Sequence, residues 1–123
     1  YNVWTNLKMS VDPARSAFTK DLQKDEIIRV PLAHGEGRFS FPKAEINYQI
    51  PAKYLYEEYP SNPNGSDFNA AMLVSDNGRH LVMMPHLERS IFPWNWGHYP
   101  YNRKDEVSPW ILAFENAYNW LYK

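Results

Sequence analysis

The sequence predicts an α/β fold that is rich in strands and ends in one helix, and three observations support this prediction. Residues 1–11 alternate between apolar and polar side chains. Two apolar runs, residues 70–74 and 81–84, flank the turn sequence Asp76-Asn77-Gly78, and apolar residues recur at helical spacing after Ser108-Pro109. Periods of two and of about 3.6 residues are typical of strands and helices. With 123 residues, the chain is predicted to form one domain or part of one.

Two strands are predicted in the first third of the chain. The alternation over residues 1–11 places one set of side chains on a buried face, and this set is Val3, Thr5, Leu7, Met9 and Val11. Asp12-Pro13 would end this strand. Residues 26–34 are β-branched and almost continuously apolar, which predicts a second strand buried on both faces. Residues 14–25 between them predict a loop or a short helical turn.

The middle of the chain predicts further short strands separated by loops. Residues 41–59 predict one or two strands, and residues 60–67 carry the strongest loop signal, "PSNPNGSD". Residues 70–84 predict a hairpin in which Asn77 and Gly78 supply the positive φ angles of a tight turn. Residues 91–102 are aromatic and interrupted by proline, so they are predicted to be irregular.

The C-terminal helix is predicted to begin with Ser108 as its N-cap and Pro109 at its first helical position. The face predicted to pack on the sheet carries Trp110, Phe114, Ala117 and Leu121. Aromatic residues make up 16% of the chain, and most are expected in the core. The alternative is an exposed surface that stacks on sugars or bases.

Composition excludes several classes of function. The 13 Lys and Arg residues balance 14 Asp and Glu residues, so no nucleic-acid partner is expected. No apolar run approaches the length of a membrane span, so no membrane partner is expected either. The chain contains no Cys, which excludes a disulfide, a thiolate metal site or a Cys nucleophile within it.

Two His-x-Glu pairs, His34-Gly35-Glu36 and His86-Leu87-Glu88, are the main candidates for chemistry, and each follows a predicted strand. On extended backbone, residues i and i+2 point to the same side, so a Glu can orient the His and stabilise its imidazolium. That is the His–acid part of a nucleophile–His–acid triad. One alternative is a partly buried structural histidine, with Glu88 paired to Arg89. Another is a zinc or iron site built from both pairs.

Five segments converge on one family. They are "VPLAHGEGRF", "YPSNPNGS", "SDNGRHLVMMPHLER", "FPWNW" and "SPWILAFENAYNW", in this order. Together, over residues 26–120, they resemble the C-terminal half of the glutaminase domain in the phosphoribosylformylglycinamidine synthase family, in its large single-chain form. The resemblance implies the C-terminal part of a class I glutamine amidotransferase domain, which is a flavodoxin-like α/β fold.

The resemblance also implies residue roles. In the family, a Cys on a strand-to-helix turn attacks the side-chain amide of glutamine. By this resemblance, His86 takes the thiol proton and later protonates the departing ammonia, while Glu88 orients His86. The resemblance places His34, Gly35 and Glu36 beside the glutamine pocket and implies no metal ligand. The family usually has Pro where Leu87 stands.

The resemblance further implies that residues 1–123 are a partial glutamine amidotransferase domain whose nucleophile-bearing N-terminal half is missing from this chain. The parent enzyme is expected to be cytoplasmic and to use ATP, Mg²⁺ and glutamine to convert formylglycinamide ribonucleotide to the amidine. No cofactor is expected in this chain. The expected partners are glutamine, the missing half, the synthase domains and, for the isolated chain, a second copy. We expect the chain alone to be inactive; the alternative function is a non-catalytic, aromatic-rich binding module.

Overall fold

The structure is a computed structural model, and it describes residues 2–9, 16–20, 22–33 and 35–122. The strands and the helix of these residues are β1 (Asn2–Met9), β2 (Ile27–Ala33), β3 (Ala52–Tyr54), β4 (Met72–Val74), β5 (Leu81–Met83) and α1 (Ile111–Leu121). Short 3₁₀ segments lie at Glu45–Asn47, Asp67–Asn69, Leu87–Ser90 and Pro93–Asn95. The predicted α/β class, with many strands and one C-terminal helix, is confirmed.

The strands form one antiparallel sheet of three strands and one hairpin. β1 lies in the centre of the three-stranded sheet, in the order β2-β1-β3. β4 and β5 form the hairpin. Single bridges connect the two parts, since Lys53 lies opposite Ala70 and the N–H of Ala71 donates to the carbonyl of Ala52 at 3.1 Å. The hairpin therefore extends the sheet beyond β3.

The alternation predicted for the first strand is confirmed within β1. Thr5, Leu7 and Met9 are buried, whereas Asn6 and Lys8 are exposed. Val11 and the predicted strand end at Asp12-Pro13 lie outside the described residues. The predicted turn after them is also present, because the N–H of Thr19 donates to the carbonyl of Ser16 at 3.2 Å.

The prediction that the second strand is buried on both faces was wrong. Ile28, Val30 and Leu32 are buried, but Arg29 is exposed and Ile27 is 57% exposed. An antiparallel sheet can leave one face in water, so an apolar run does not by itself show that both faces are covered. Only the second half of β2, where Pro31 is also buried, has the predicted character.

The hairpin is present, but its turn differs from the prediction. Gly78 has a positive φ of 72°, and Asn77 does not. The N–H of Gly78 donates to the carbonyl of Ser75 at 2.9 Å, and the N–H of Ser75 donates to the carbonyl of His80 at 3.0 Å. The loop therefore has four residues and is built around a β-turn, instead of two residues that both need positive φ. In residues 41–59, the described strand is β3 alone.

The C-terminal helix begins at Ile111, with Trp110 instead of the predicted Ser108 at the N-cap position, and its buried residues differ from those predicted. Ser108 and Pro109 form a lead-in turn, in which the N–H of Ile111 donates to the carbonyl of Ser108 at 3.2 Å. The buried residues of α1 are Ala113 and Asn116. Trp110 packs against the core as predicted, but Phe114 and Leu121 are exposed, so the predicted face was only partly correct. The bulky residues Phe114, Tyr118 and Leu121 of α1 point outward.

The core is mainly aliphatic. The buried hydrophobic residues are Leu7, Met9, Ile28, Val30, Leu32, Ile50, Ala52, Tyr54, Ala70, Ala71, Met72, Val74, Leu87 and Ala113. Tyr54 is the aromatic member of this set, and its burial raises the pKa of its hydroxyl. The expectation that most aromatics lie in the core was therefore wrong. Within the described residues, no helix has the length and apolar character needed to cross a membrane.

Candidate active site

His86 and Glu88 are in direct contact. The Nδ1 atom of His86 lies 2.7 Å from Oε1 of Glu88. The His86 side chain is 30% exposed and the Glu88 side chain is 57% exposed. A carboxylate can only accept, so in this contact Nδ1 carries the proton and donates it. In the neutral ring, Nε2 then holds the free lone pair, which is the arrangement that a general base requires.

The contact arises across a turn. His86 has extended backbone, with φ −120° and ψ 102°, and it directly precedes the 3₁₀ segment Leu87–Ser90, which we call the site turn. Glu88 lies within the site turn, so simple alternation along a strand does not bring the two side chains together. The sequence predicted that these two side chains could touch, but the geometry that joins them differs from the predicted one.

The site turn is attached to the core at its first residues. The N–H of His86 donates to the carbonyl of Pro31 in β2 at 2.8 Å. In an antiparallel strand, the backbone N and O of one residue point to the same side. The missing N–H of Pro31 therefore lies on the side of His86 and removes no hydrogen bond between β2 and β1. Leu87 is 5% exposed and belongs to the hydrophobic core. These contacts fix the backbone on both sides of the His86 side chain.

Arg89 does not replace His86 as the partner of Glu88. Its Nε lies 4.0 Å from Oε1 of Glu88, against 2.7 Å for Nδ1 of His86. The distance to Arg89 is at the limit of an ion pair, and both side chains are 57% exposed. Ion pairs of this kind at the surface contribute little. The interpretation of Glu88 as a surface charge paired with Arg89 is therefore disfavoured.

The second His-x-Glu pair is only partly described. His34 lies outside the described residues, while Gly35 and Glu36 are exposed. Gly35 lies four residues after Pro31, so its Cα is within about 14 Å of the strand position that contacts His86. In the described part of the chain, no hydrogen bond or ion pair joins Glu36 to His86 or Glu88.

The loop at residues 62–67 contacts this second segment, and sequence patterns did not predict the contacts. The side-chain Nδ2 of Asn64 donates to the carbonyls of Gly35 at 3.2 Å and Gly37 at 3.0 Å. The N–H of Phe39 donates to Oγ of Ser66 at 3.1 Å. The sequence predicted only that these residues form a loop, because their hydrogen-bond partners lie more than 25 positions away. The high density of side-chain donors and acceptors in this loop was the sequence feature that could have indicated such hydrogen bonds.

Asp67 completes this connection. Its carboxylate accepts from the N–H of Phe41 at 2.9 Å, and its own N–H donates to the carbonyl of Phe39 at 3.0 Å. The backbone hydrogen bond from Phe41, together with the contact to Arg38, lowers the pKa of Asp67. The carboxylate form is thus the one that holds residues 39–41 against the loop.

A cavity of about 390 Å³ lies behind the site turn, between β2 and α1. Its lining includes Leu87, Trp110 and Ala113 but neither His86 nor Glu88. The cavity is therefore separate from the His–Glu contact. Among the residues that the structure describes, no three His, Asp or Glu side chains come together to hold a metal ion. His34, a member of the considered metal site, is not among them.

Comparison with known proteins identifies the family. Residues 2–121 match the CobB/CobQ-like glutamine amidotransferase domain. The chain belongs to this glutamine amidotransferase family. The match covers almost the whole chain, so membership does not depend on the His–Glu pair alone.

Two curated relatives and one solved structure are similar to this chain. Human phosphoribosylformylglycinamidine synthase is 40% identical over 95% of this chain and 10% of its own length. Subunit PurQ of the same enzyme from Aquifex aeolicus is 40% identical over 71% of this chain and 41% of its own length. The structure of PurLQS from Thermotoga maritima matches 98% of this chain and 48% of its own chain, with a TM-score of 0.71 and 25% identity. The family member described here therefore spans less than half of each of these proteins.

Proposed function

We propose that the chain is part of a phosphoribosylformylglycinamidine synthase and supplies the His–Glu pair of its glutaminase site. The observation that carries this proposal is the 2.7 Å contact between His86 and Glu88, in a chain of the glutamine amidotransferase family. Glu88 holds the Nδ1 proton of His86 and stabilises the imidazolium that forms during the reaction. Nε2 of His86 then serves as the base.

The nucleophile comes from outside this chain, which contains no Cys. His86 removes the thiol proton, and the sulfur attacks the side-chain amide carbon of glutamine. His86 next gives that proton to the departing nitrogen, so ammonia leaves and a thioester remains. Water then hydrolyses the thioester: His86 takes a proton from the water, glutamate forms, and the proton goes to the departing sulfur, which restores the thiol. The chain alone therefore has no covalent step and is inactive.

In this proposal, residues 1–123 are the C-terminal part of a glutamine amidotransferase domain. His34, Gly35 and Glu36 border the glutamine pocket, where exposed backbone at Gly35 can contact the substrate. ATP and Mg²⁺ belong to the synthase domains of the parent enzyme, which is a cytoplasmic ligase. The partners of this chain are glutamine, the nucleophile-bearing half of the domain and the synthase domains. The isolated chain associates with a second copy through surfaces that the other half would cover.

The test separates the glutaminase from the synthase in the complete enzyme. Glutamine-dependent and ammonium-dependent amidine formation are measured for the unchanged enzyme, His86→Ala and Glu88→Gln. We expect both variants to lose glutamine-dependent activity by about 10²–10⁴-fold and to retain the ammonium-dependent activity. His98→Ala, which changes an exposed histidine in a loop, is the matched control. Retained glutamine-dependent activity in His86→Ala would refute the assignment.

A binding module remains the second candidate because of one observation. The rings of Phe92 and Trp94 are parallel within 4°, lie 4.5 Å apart, and are 40% and 73% exposed. Such a pair offers a face on which a sugar or a base can stack. A change in tryptophan fluorescence on ligand addition that is lost in Trp94→Ala would favour this candidate.

A further inference from the structure

The end of the site turn carries a buried carbonyl with two donors. Ser90, the last residue of the site turn, is fully buried. Its carbonyl accepts from Nε1 of Trp96 at 2.9 Å and from the hydroxyl of Ser108. A carbonyl oxygen has two lone pairs, so its capacity is filled. Ser108 is also fully buried and lies 18 residues away in the sequence.

The hydroxyl of Ser108 has a second bond that reaches the helix. It accepts from the N–H of Trp110 at 3.3 Å, while the backbone N–H of Ser108 donates to the carbonyl of Ile91. One side chain thus joins the end of the site turn to the start of α1. Buried hydrogen bonds of this kind are little weakened by water and restrict the groups they connect.

We propose that Ser108 is a positioning residue that holds Glu88 against His86 through the carbonyl of Ser90. Glu88 lies in the middle of the site turn, whose beginning is attached through the N–H of His86 and whose end is attached at Ser90. Without the Ser108 hydroxyl, the carbonyl of Ser90 loses one of its two donors and the Glu88 carboxylate shifts. The importance of this shift for catalysis rests on the proposed function, since small displacements of catalytic groups cost much activity.

The position of the proton on the His86 ring can be measured directly in this chain. Side-chain ¹⁵N NMR distinguishes an imidazole with its proton on Nδ1 from one with its proton on Nε2. In the unchanged protein we expect His86 to carry the Nδ1 proton and to show a downfield signal for it, because Nδ1 donates to Glu88. Ser108→Ala is expected to lose this signal as Glu88→Gln does. The double variant is expected to resemble Glu88→Gln alone.

Ser16→Ala is the matched control. Ser16 is 1% exposed, and its hydroxyl accepts from the N–H two residues later, at Phe18, as that of Ser108 does at Trp110. Ser16→Ala is expected to lower stability but to keep the Nδ1 signal. A purely structural role for Ser108 would give the same result in Ser108→Ala, and that outcome would overturn the proposal. So would the absence of the signal from the unchanged protein.

Trp96→Phe provides a second test if Ser108→Ala does not fold. It removes the other donor to the carbonyl of Ser90 while keeping an aromatic ring beside Trp4, whose ring centroid lies 4.9 Å away. Loss of the Nδ1 signal supports positioning through Ser90, and its retention overturns it. Glutamine turnover in His86→Ala of the complete enzyme decides the proposed function separately, so the two ideas fail independently.

Discussion

The backbone N–H of His86 donates a 2.8 Å hydrogen bond to the carbonyl of Pro31. This bond places the candidate base beside the second half of β2, the half of that strand that is most buried. The strand leads, three residues later, to His34 and then to Gly35. His86 therefore lies beside the strand that leads in the sequence to the other His-x-Glu pair, although the two histidines are 52 positions apart.

Leu87→Ala is expected to destabilise the chain by about 2–5 kcal/mol, because it removes a buried side chain from the core and enlarges the cavity behind the site turn. The free energy of unfolding in urea measures this loss. Val82→Ala is the control, since Val82 is 53% exposed. It should change stability by about 0.5 kcal/mol or less. Equal effects of the two substitutions would show that Leu87 does not anchor the turn.

Asn64→Ala is expected to increase hydrogen exchange across residues 35–41, because it removes the side chain that donates hydrogen bonds to two carbonyls of this segment. The cost in stability is about 1–2 kcal/mol for two neutral hydrogen bonds. Asn47→Ala is the control, since its Nδ2 donates to the single carbonyl of Ala44 in an exposed segment. Unchanged exchange at residues 35–41 in Asn64→Ala would contradict the expectation.

Acid is expected to loosen the same segment through Asp67. The backbone hydrogen bond from Phe41 lowers the pKa of Asp67 in the folded chain. The stability from this carboxylate is therefore fully present above the ordinary Asp pKa of about 3.9, and it is lost as pH falls through the lower folded pKa. NMR of the Phe41 amide during acid titration measures the change. The Asp67→Asn variant should lack this pH dependence, and a persisting transition would assign it to another group.

Gly65→Ala is expected to reveal backbone strain as a loss of stability, whereas Gly35→Ala tests whether Gly35 contacts the substrate. A Cβ would meet no atom within 4 Å at either position, but Gly65 has a φ of +68°. Gly65→Ala is expected to cost about 1–2 kcal/mol, whereas Gly35→Ala should leave stability unchanged. If Gly35 approaches the substrate, Gly35→Ala raises the KM for glutamine in the complete enzyme. An unchanged KM would remove Gly35 from the glutamine pocket.

Much of the fold could be predicted because its signals are local. The alternation in β1, the Gly78 turn and the start of the helix just after Ser108-Pro109 depend on residues within a few positions of one another. The candidate pair, His86 and Glu88, was visible for the same reason. The exposed face of α1 could not be predicted, because Phe114 and Ala113 differ in burial only through what α1 packs against.

Local sequence patterns predict where most strands, the hairpin and the helix form, since hydrophobic period and turn chemistry act over short distances. The contacts that support the site turn and the Gly35 segment arise only in the folded chain. Ser108 meets Ser90 across 18 residues, and Asn64 meets Gly35 across 29. Such contacts depend on how the elements pack, and the residues adjacent to a side chain in the sequence do not indicate that packing.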